Sequence, residues 1–363
     1  MPDTSPAPIP SDDTPPARLV AHRSPWEAGG DRSFGRTIAI VAVMLAIVGG
    51  VVAVGHFGFN RLLEAFGRQP TSLELKERIA RCQREGDWAC VEGGWTSWLK
   101  LHPDDANATA NLGIALNRED RHAEAAAQFK RAVEAGEGTY DLFAFYADSL
   151  KHVGRDDEAI DWSYKALSVV PRLVDVRGNL ARLLVARHRP YEALSLLESF
   201  DAMLVAQGNP AYFQGERISI ESSLADKPAP APGAKLQPLR LPAFERHFFA
   251  PVAIGEAPPA AFMVDTGATR TTIGQRLLAE SRAKYRTTQS QVTMVTADGR
   301  KVTAQAITIA KMHVGPFELH DVPAVVCGDC QPLLGQSALS QFDLQSARTQ
   351  GVEFLTLTQR PGT

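Results

Sequence analysis

The feature that most constrains this chain is a recurrence at intervals of 34 residues: Glu124-Ala125, Glu158-Ala159 and Glu192-Ala193 repeat at that spacing. The segments ahead of them align as well, as Asn111-Leu112-Gly113, Phe145-Tyr146-Ala147 and Asn179-Leu180-Ala181. Pro103 and Pro171 stand two periods apart, each where a second helix must stop, because proline lacks an amide hydrogen and clashes with the preceding turn. A fixed interval of this length with small residues at the packing positions predicts stacked helix–turn–helix units. Each unit is too small to bury its apolar face alone and gains stability from its neighbours.

The pattern resembles the tetratricopeptide repeat, which implies a helical solenoid over residues 70–225. Three repeats are clear, and Ser72 to His102 reads as an atypical first helical pair capping the stack. Such an array offers a concave groove to a peptide or partner protein, and the Arg and Glu residues of the repeats read as solvated helix faces. Cys82 and Cys90 are too far apart to bridge along one continuous helix. If Glu85-Gly86-Asp87 breaks the helix, the two meet in a disulfide; the alternative is two buried thiols.

Residues 226–235, rich in alternating Pro and Ala, read as a semi-rigid extended linker. Beyond them the pattern changes from helices to short strands. Phe248 to Ile254 and Ala261 to Val264 flank a turn-rich break at Gly255-Glu256-Ala257-Pro258-Pro259. Val292 to Ile309 reads as a hairpin turning at Asp298-Gly299, a primed-turn signal. Met312 to Val314, Val322 to Val326 and Val352 to Leu357 supply further strands. Many short strands with tight turns predict a small all-β, barrel-like domain over residues 236–363.

Within that domain Phe262-Met263-Val264 is an apolar strand running into Asp265-Thr266-Gly267-Ala268, so one carboxylate stands at a strand end. Downstream lies Leu333-Leu334-Gly335, followed by a helix-like segment. Together with the hairpin, these stretches resemble the retropepsin-like aspartic proteases of the bacterial single-domain kind, over about a third of the chain. The resemblance implies that Asp265 is catalytic and that Thr266, Gly267 and Ala268 form its loop. It also implies that Thr296, Ala297, Asp298 and Gly299 belong to a flap over the substrate, and that Leu333, Leu334 and Gly335 support the loop from below. Arg270 is an unusual choice so near such a loop.

Aspartic proteases need two carboxylates, one to take a proton from water and one, protonated, to polarise the peptide carbonyl. The chain holds a single Asp-Thr-Gly. The resemblance therefore implies a homodimer whose two-fold axis brings together two copies of Asp265, with Thr266 bonding across it. Such a site needs no cofactor and no metal.

Cys327-Gly-Asp-Cys330 has redox-motif spacing, but it follows an apolar strand and does not open a helix, so a disulfide clasp is the expectation. His313 and His320 fit no standard zinc spacing with these cysteines. Asp343 reads as a surface or capping residue after a helix.

Residues 1–36 carry many prolines and little to bury, and read as a disordered tail. Residues 37–59 run without Asp, Glu, Lys or Arg, with His56 the one ionisable group, which is length enough to span a membrane as a helix. Arg23, Arg32 and Arg36 before the span outnumber Arg61 and Arg68 after it, a slight bias toward a cytoplasmic N-terminus. Four cysteines in two close pairs suit an oxidising compartment. The expectation is a single-pass protein of a bacterial inner membrane with its C-terminal domains in the periplasm.

A net charge of −3 gives no electrostatic footing for nucleic-acid binding, and that class is rejected. The sequence thus reads as a multidomain protein: one transmembrane helix, an all-α tetratricopeptide-repeat solenoid, then an all-β retropepsin-like closed barrel. The expected activity is that of a membrane-anchored aspartic endopeptidase acting on protein or peptide, with the repeats recruiting substrate or partner. The competing reading is a scaffold whose protease-like domain binds peptide or dimerises without cutting.

Overall fold

The computed structural model describes residues 70–225, 236–295, 299–328 and 330–360. The tail, the apolar stretch 37–59, the linker 226–235 and the flap tip Thr296-Ala297-Asp298 lie outside them. No helix of the described residues is long and apolar enough to cross a membrane. Residues Thr71–Thr363 form one compact unit, and the fold below is that of this unit.

Nine helices come first among the described residues: α1 (Ser72–Glu85), α2 (Trp88–Leu101), α3 (Ala106–Arg118), α4 (His122–Glu134), α5 (Tyr140–His152), α6 (Asp156–Val169), α7 (Val174–Ala186), α8 (Pro190–Ala206) and α9 (Gln214–Ala225). Helices α1, α3, α5 and α7 start 34 residues apart, and so do α2, α4, α6 and α8. The first pair therefore keeps the period that its sequence obscures. The reason lies in the turns: Gly86, Asp120, Gly154 and His188, again 34 apart, all take the left-handed conformation that ends the first helix of each pair. Glycine adopts it freely at Gly86 and Gly154, whereas Asp120 and His188 carry a steric cost. Thr71, Asp87, Asp105 and Thr139 cap α1, α2, α3 and α5 by accepting a hydrogen bond from a first-turn amide.

The aligned Ala125, Ala159 and Ala193 are fully buried between helices. Gly113 is held small for the same reason, since a Cβ there would stand 2.7 Å from the Phe129 ring. The Cys82–Cys90 disulfide joins α1 to α2 across the Gly86 turn, in agreement with the broken-helix expectation.

After the repeats come ten strands among the described residues. They are β1 (Leu239–Phe244), β2 (His247–Ile254), β3 (Ala260–Val264), β4 (Thr271–Gly274), β5 (Tyr285–Val295), β6 (Lys301–Val314), β7 (Phe317–Cys327), β8 (Leu333–Leu334), β9 (Phe342–Thr349) and β10 (Val352–Gln359). Two short helices, α10 (Gln275–Ser281) and α11 (Gln336–Leu339), interrupt them, so the domain is not purely β. The hydrogen-bonded order is β5-β6-β7-β4-β8-β3-β2-β1-β10-β9, and a further β6–β2 pairing returns the sheet on itself through β2, β3, β8, β4, β7 and β6. Phe262, Ile273, Ile309, Met312 and Val314 are among the side chains that fill the space inside. Each such aromatic or aliphatic side chain, fully buried, contributes about 1.5–3 kcal/mol.

The hairpin is longer than its sequence signal, with β5 and β6 paired from Tyr285↔Ile309 to Val295↔Lys301. Met312 to Val314 is the end of β6, not a separate strand. Strands β1 and β9 were not anticipated. In β9 all but one residue is exposed or half-buried, so no apolar alternation marks it; Asp343 lies in this strand with an exposed side chain bonded to Arg360, a surface residue and not a helix cap.

The repeats pack directly on the β domain. Helix α8 is buried without a break from Glu192 to Asp201. Tyr191 packs against both cores, and Val352 and Phe354 of β10 belong to the helical one. Ser195 Oγ donates to the Phe249 carbonyl of β2 at 2.6 Å. Glu192, which by its period should be solvated like Glu124 and Glu158, is instead 3% exposed and accepts from the Tyr164 hydroxyl at 2.8 Å. Arg189 pairs with it at 2.6 Å, and Arg240 of β1 lies over the Phe354 ring and 3.6 Å from Asp161. Burial pushes the Glu192 carboxyl up, against the lowering pull of Arg189, Tyr164 and Arg240.

On its other side α8 faces α9 with Glu198, whose two carboxyl oxygens are buried without a hydrogen-bond partner among the described residues. Burial raises this carboxyl from 4.5 to about 8. The folded state thus keeps a proton that the unfolded chain releases above about pH 4.5, so stability falls as pH rises from there through about 8. Melting followed by the helical signal should show wild type losing several degrees between pH 5.5 and pH 8.5, roughly what a few kcal/mol produces. Glu198→Gln should flatten that dependence, and an equal loss in both proteins would remove Glu198 as its source.

Candidate active site

Asp265 follows β3 directly, and the loop after it is fastened from one side. β3 runs parallel to β8, with Met263 opposite Leu333 and Val264 opposite Leu334. The Asp265 amide donates to the Leu334 carbonyl at 3.1 Å. The Gly267 amide, at 2.9 Å, and the Ala268 amide, at 3.2 Å, both donate to Asp265 Oδ1. These two donors fix the carboxylate's orientation, and Oδ2 accepts no hydrogen bond among the described residues. Asp265 is half-buried, while Thr266 and Gly267 are exposed.

The loop's outer end is gripped by the start of α11. The Gln336 amide donates to the Ala268 carbonyl at 2.8 Å and the Ser337 amide to the Thr269 carbonyl at 3.1 Å. Gln336 Nε2 reaches the Thr266 carbonyl at 2.9 Å. Ser337 Oγ accepts from the Thr271 amide at 2.9 Å and lies 3.2 Å from the buried Thr271 hydroxyl. Gly335 has no room for a side chain, because a Cβ would run into the Arg270 carbonyl and stand 2.9 Å from the Ala268 carbonyl. That is the place of Arg270 in the loop: its backbone packs on Gly335 and its side chain is exposed.

The structure therefore brings together Asp265, Thr266, Gly267, Ala268, Leu333, Leu334 and Gly335. Gln336 and Ser337 complete the fastening and were missed. Their signal was slight, two polar residues opening a helix just after the glycine.

Of the flap residues, Gly299 takes a left-handed conformation between the two arms. The arms rest on a small cluster in which Val292, Met294 and Val302 pack with Ala304, Val325 and the Cys327–Cys330 disulfide. The clasp thus packs against the half of the hairpin nearer its turn. His313 and His320 do not meet it. They converge on Glu318, at 3.1 and 3.0 Å, with Lys311 at 2.6 Å from the same carboxylate. A lysine among them disfavours a cation there. The Lys311 hydrogen bond, aided by both histidines, holds the Glu318 carboxyl below its usual range.

A cavity of about 280 Å³ lies elsewhere, between α6, α8 and the β10 turn, lined among others by Tyr164, Arg177, Phe244 and Arg246.

The family model for gag-polyprotein putative aspartyl protease matches residues 250–341, from β2 through the segment after α11. Among solved structures, a retropepsin-like aspartic protease from Rickettsia conorii is 23% identical, covering 34% of this chain and 92% of its own, with a TM-score of 0.26. The first TPR of Spaghetti (RPAP3) bound to an HSP90 peptide is 18% identical, covering 34% of this chain and 99% of its own, with a TM-score of 0.31. The Arabidopsis OM64 TPR domain is also 18% identical, over 33% of this chain and 99% of its own, with a TM-score of 0.31. No curated protein matches the chain.

Proposed function

We propose that this chain is an aspartic endopeptidase anchored in a bacterial inner membrane, with its repeats and β domain in the periplasm. The observation that carries the reading is the Asp265 loop: a carboxylate oriented by two backbone amides, on a loop fastened to the strand and helix beneath it. The family match over residues 250–341 supports it.

One such loop supplies one carboxylate. The proposal therefore includes a homodimer in which the Asp265 residues of two chains share a proton. One takes a proton from water as the water attacks a peptide carbonyl, and the other, protonated, hydrogen-bonds the carbonyl oxygen. The Thr296–Gly299 turn would close over the bound peptide and exclude water. Anchoring two chains in one membrane raises their effective concentration, so a weak interface suffices. The repeat groove would hold the substrate or a partner protein. Digestion of a peptide library by wild type beside Asp265→Asn tests the chemistry. A protein that binds peptides but cuts none would favour the scaffold.

The topology has its own test. Alkaline phosphatase fused after Thr363 should be active in cells, because that enzyme needs an oxidising compartment to form its disulfides. An inactive fusion, beside an active cytoplasmic reporter at the same position, would reverse the orientation.

A further inference from the structure

We propose that His122, Asp148 and His152 form a binding site for a divalent transition-metal ion of the zinc class, joining two successive repeats. His122 opens α4; Asp148 and His152 lie one helical turn apart on α5. One ligand atom from each lies within 4.8 Å of the others. The imidazole rings are stacked, 4.0 Å between centroids and 14° from parallel. Tetrahedral zinc with nitrogen ligands at 2.0–2.1 Å holds donor atoms roughly 3.3 Å apart, so small side-chain rotations close the site.

The repeat itself provides the comparison. One period earlier, His122, Asp148 and His152 correspond to Trp88, Ile114 and Arg118, and there Arg118 lies over the Trp88 ring at 5.5 Å. One period later they correspond to Asp156, Arg182 and Ala186. A contact between the first and third positions is thus ordinary packing at this junction. What packing does not require is a pair of imidazoles with a carboxylate in place of Ile114.

That carboxylate is positioned from beneath. Asn117, itself buried, donates to Asp148 Oδ2 at 3.0 Å and lies 3.3 Å from His122 Nδ1. Asp120, 3.7 Å from His122 Nε2, stands near enough to supply a fourth ligand, directly or through water. His152 lies in the last turn of α5, where the helix dipole favours a cation. Two nitrogen donors to one carboxylate select zinc, nickel or copper over magnesium or calcium. A metal there would cross-link α4 to α5.

The experiment is a zinc titration of the full-length chain in detergent, without a histidine tag and stripped by chelator. Calorimetry should show one zinc ion per chain, and the melting midpoint of the helical signal should rise with zinc. His122→Gln and His152→Gln should each weaken binding at least about tenfold and abolish the zinc-dependent rise. Both variants should melt like wild type without metal, since the rings are partly exposed. The double variant His313→Gln/His320→Gln should bind as wild type does. Absence of saturable binding would overturn the proposal. So would binding that survives both repeat substitutions, or binding lost only in the β-domain variant.

Discussion

Asp265→Asn is expected to lower peptide cleavage by roughly 10³-fold or more, because the substitution removes the group that takes the proton from water. The amide matches the carboxylate in shape, and its oxygen can still accept from the Gly267 and Ala268 amides. Melting should therefore stay close to wild type, separating lost chemistry from lost fold. The two-chain site adds a second expectation. With Asp265→Asn in roughly ninefold excess under subunit exchange, only about a tenth of wild-type chains find a wild-type partner, and activity per wild-type chain should fall accordingly. Activity should also rise and then fall with pH, since the pair works when it holds one proton. Full specific activity in a monomer, or no effect of excess mutant, would remove the two-chain dyad and leave a second carboxylate to be sought within the chain.

Gly335→Ala should disturb the Asp265 loop through a single added methyl group. Its φ of −95° lies in ordinary extended space, so the difficulty is room and not conformation. The added Cβ meets the Arg270 and Ala268 carbonyls, which are backbone groups with no rotamer to retreat into. Relief requires the Ala268–Arg270 segment to move away from α11, which breaks the Gln336-to-Ala268 and Ser337-to-Thr269 hydrogen bonds. Overpacking of this kind costs about 1–3 kcal/mol. A shift of about 1 Å at Asp265 would cost roughly 10²-fold in rate, a larger effect than the stability loss. Gly328→Ala, where a Cβ meets nothing within 4 Å, is the control. Wild-type melting and rate in Gly335→Ala would show that the loop does not depend on this packing.

Much of the architecture was legible in the sequence because its causes are local. The 34-residue interval located three of the helix pairs, since a buried alanine recurs at one place in each of them. The apolar run before Asp265 and the glycine after it likewise located a strand end and a turn. Tertiary structure decided what no local pattern encodes. Glu124, Glu158 and Glu192 hold the same place in the period, each three residues after an arginine. Yet Glu124 and Glu158 are solvated, and Glu192 is buried against Tyr164 because the β domain covers it. Strand β9 exists because β10 offers it backbone partners, not because its own residues alternate. Gln336 and Ser337 grip the Asp265 loop from some seventy residues away. His122 and His152 came together only when one repeat stacked on the next. A periodic helix states its own buried face, whereas a polar contact between distant segments depends on which surfaces the finished fold presses together.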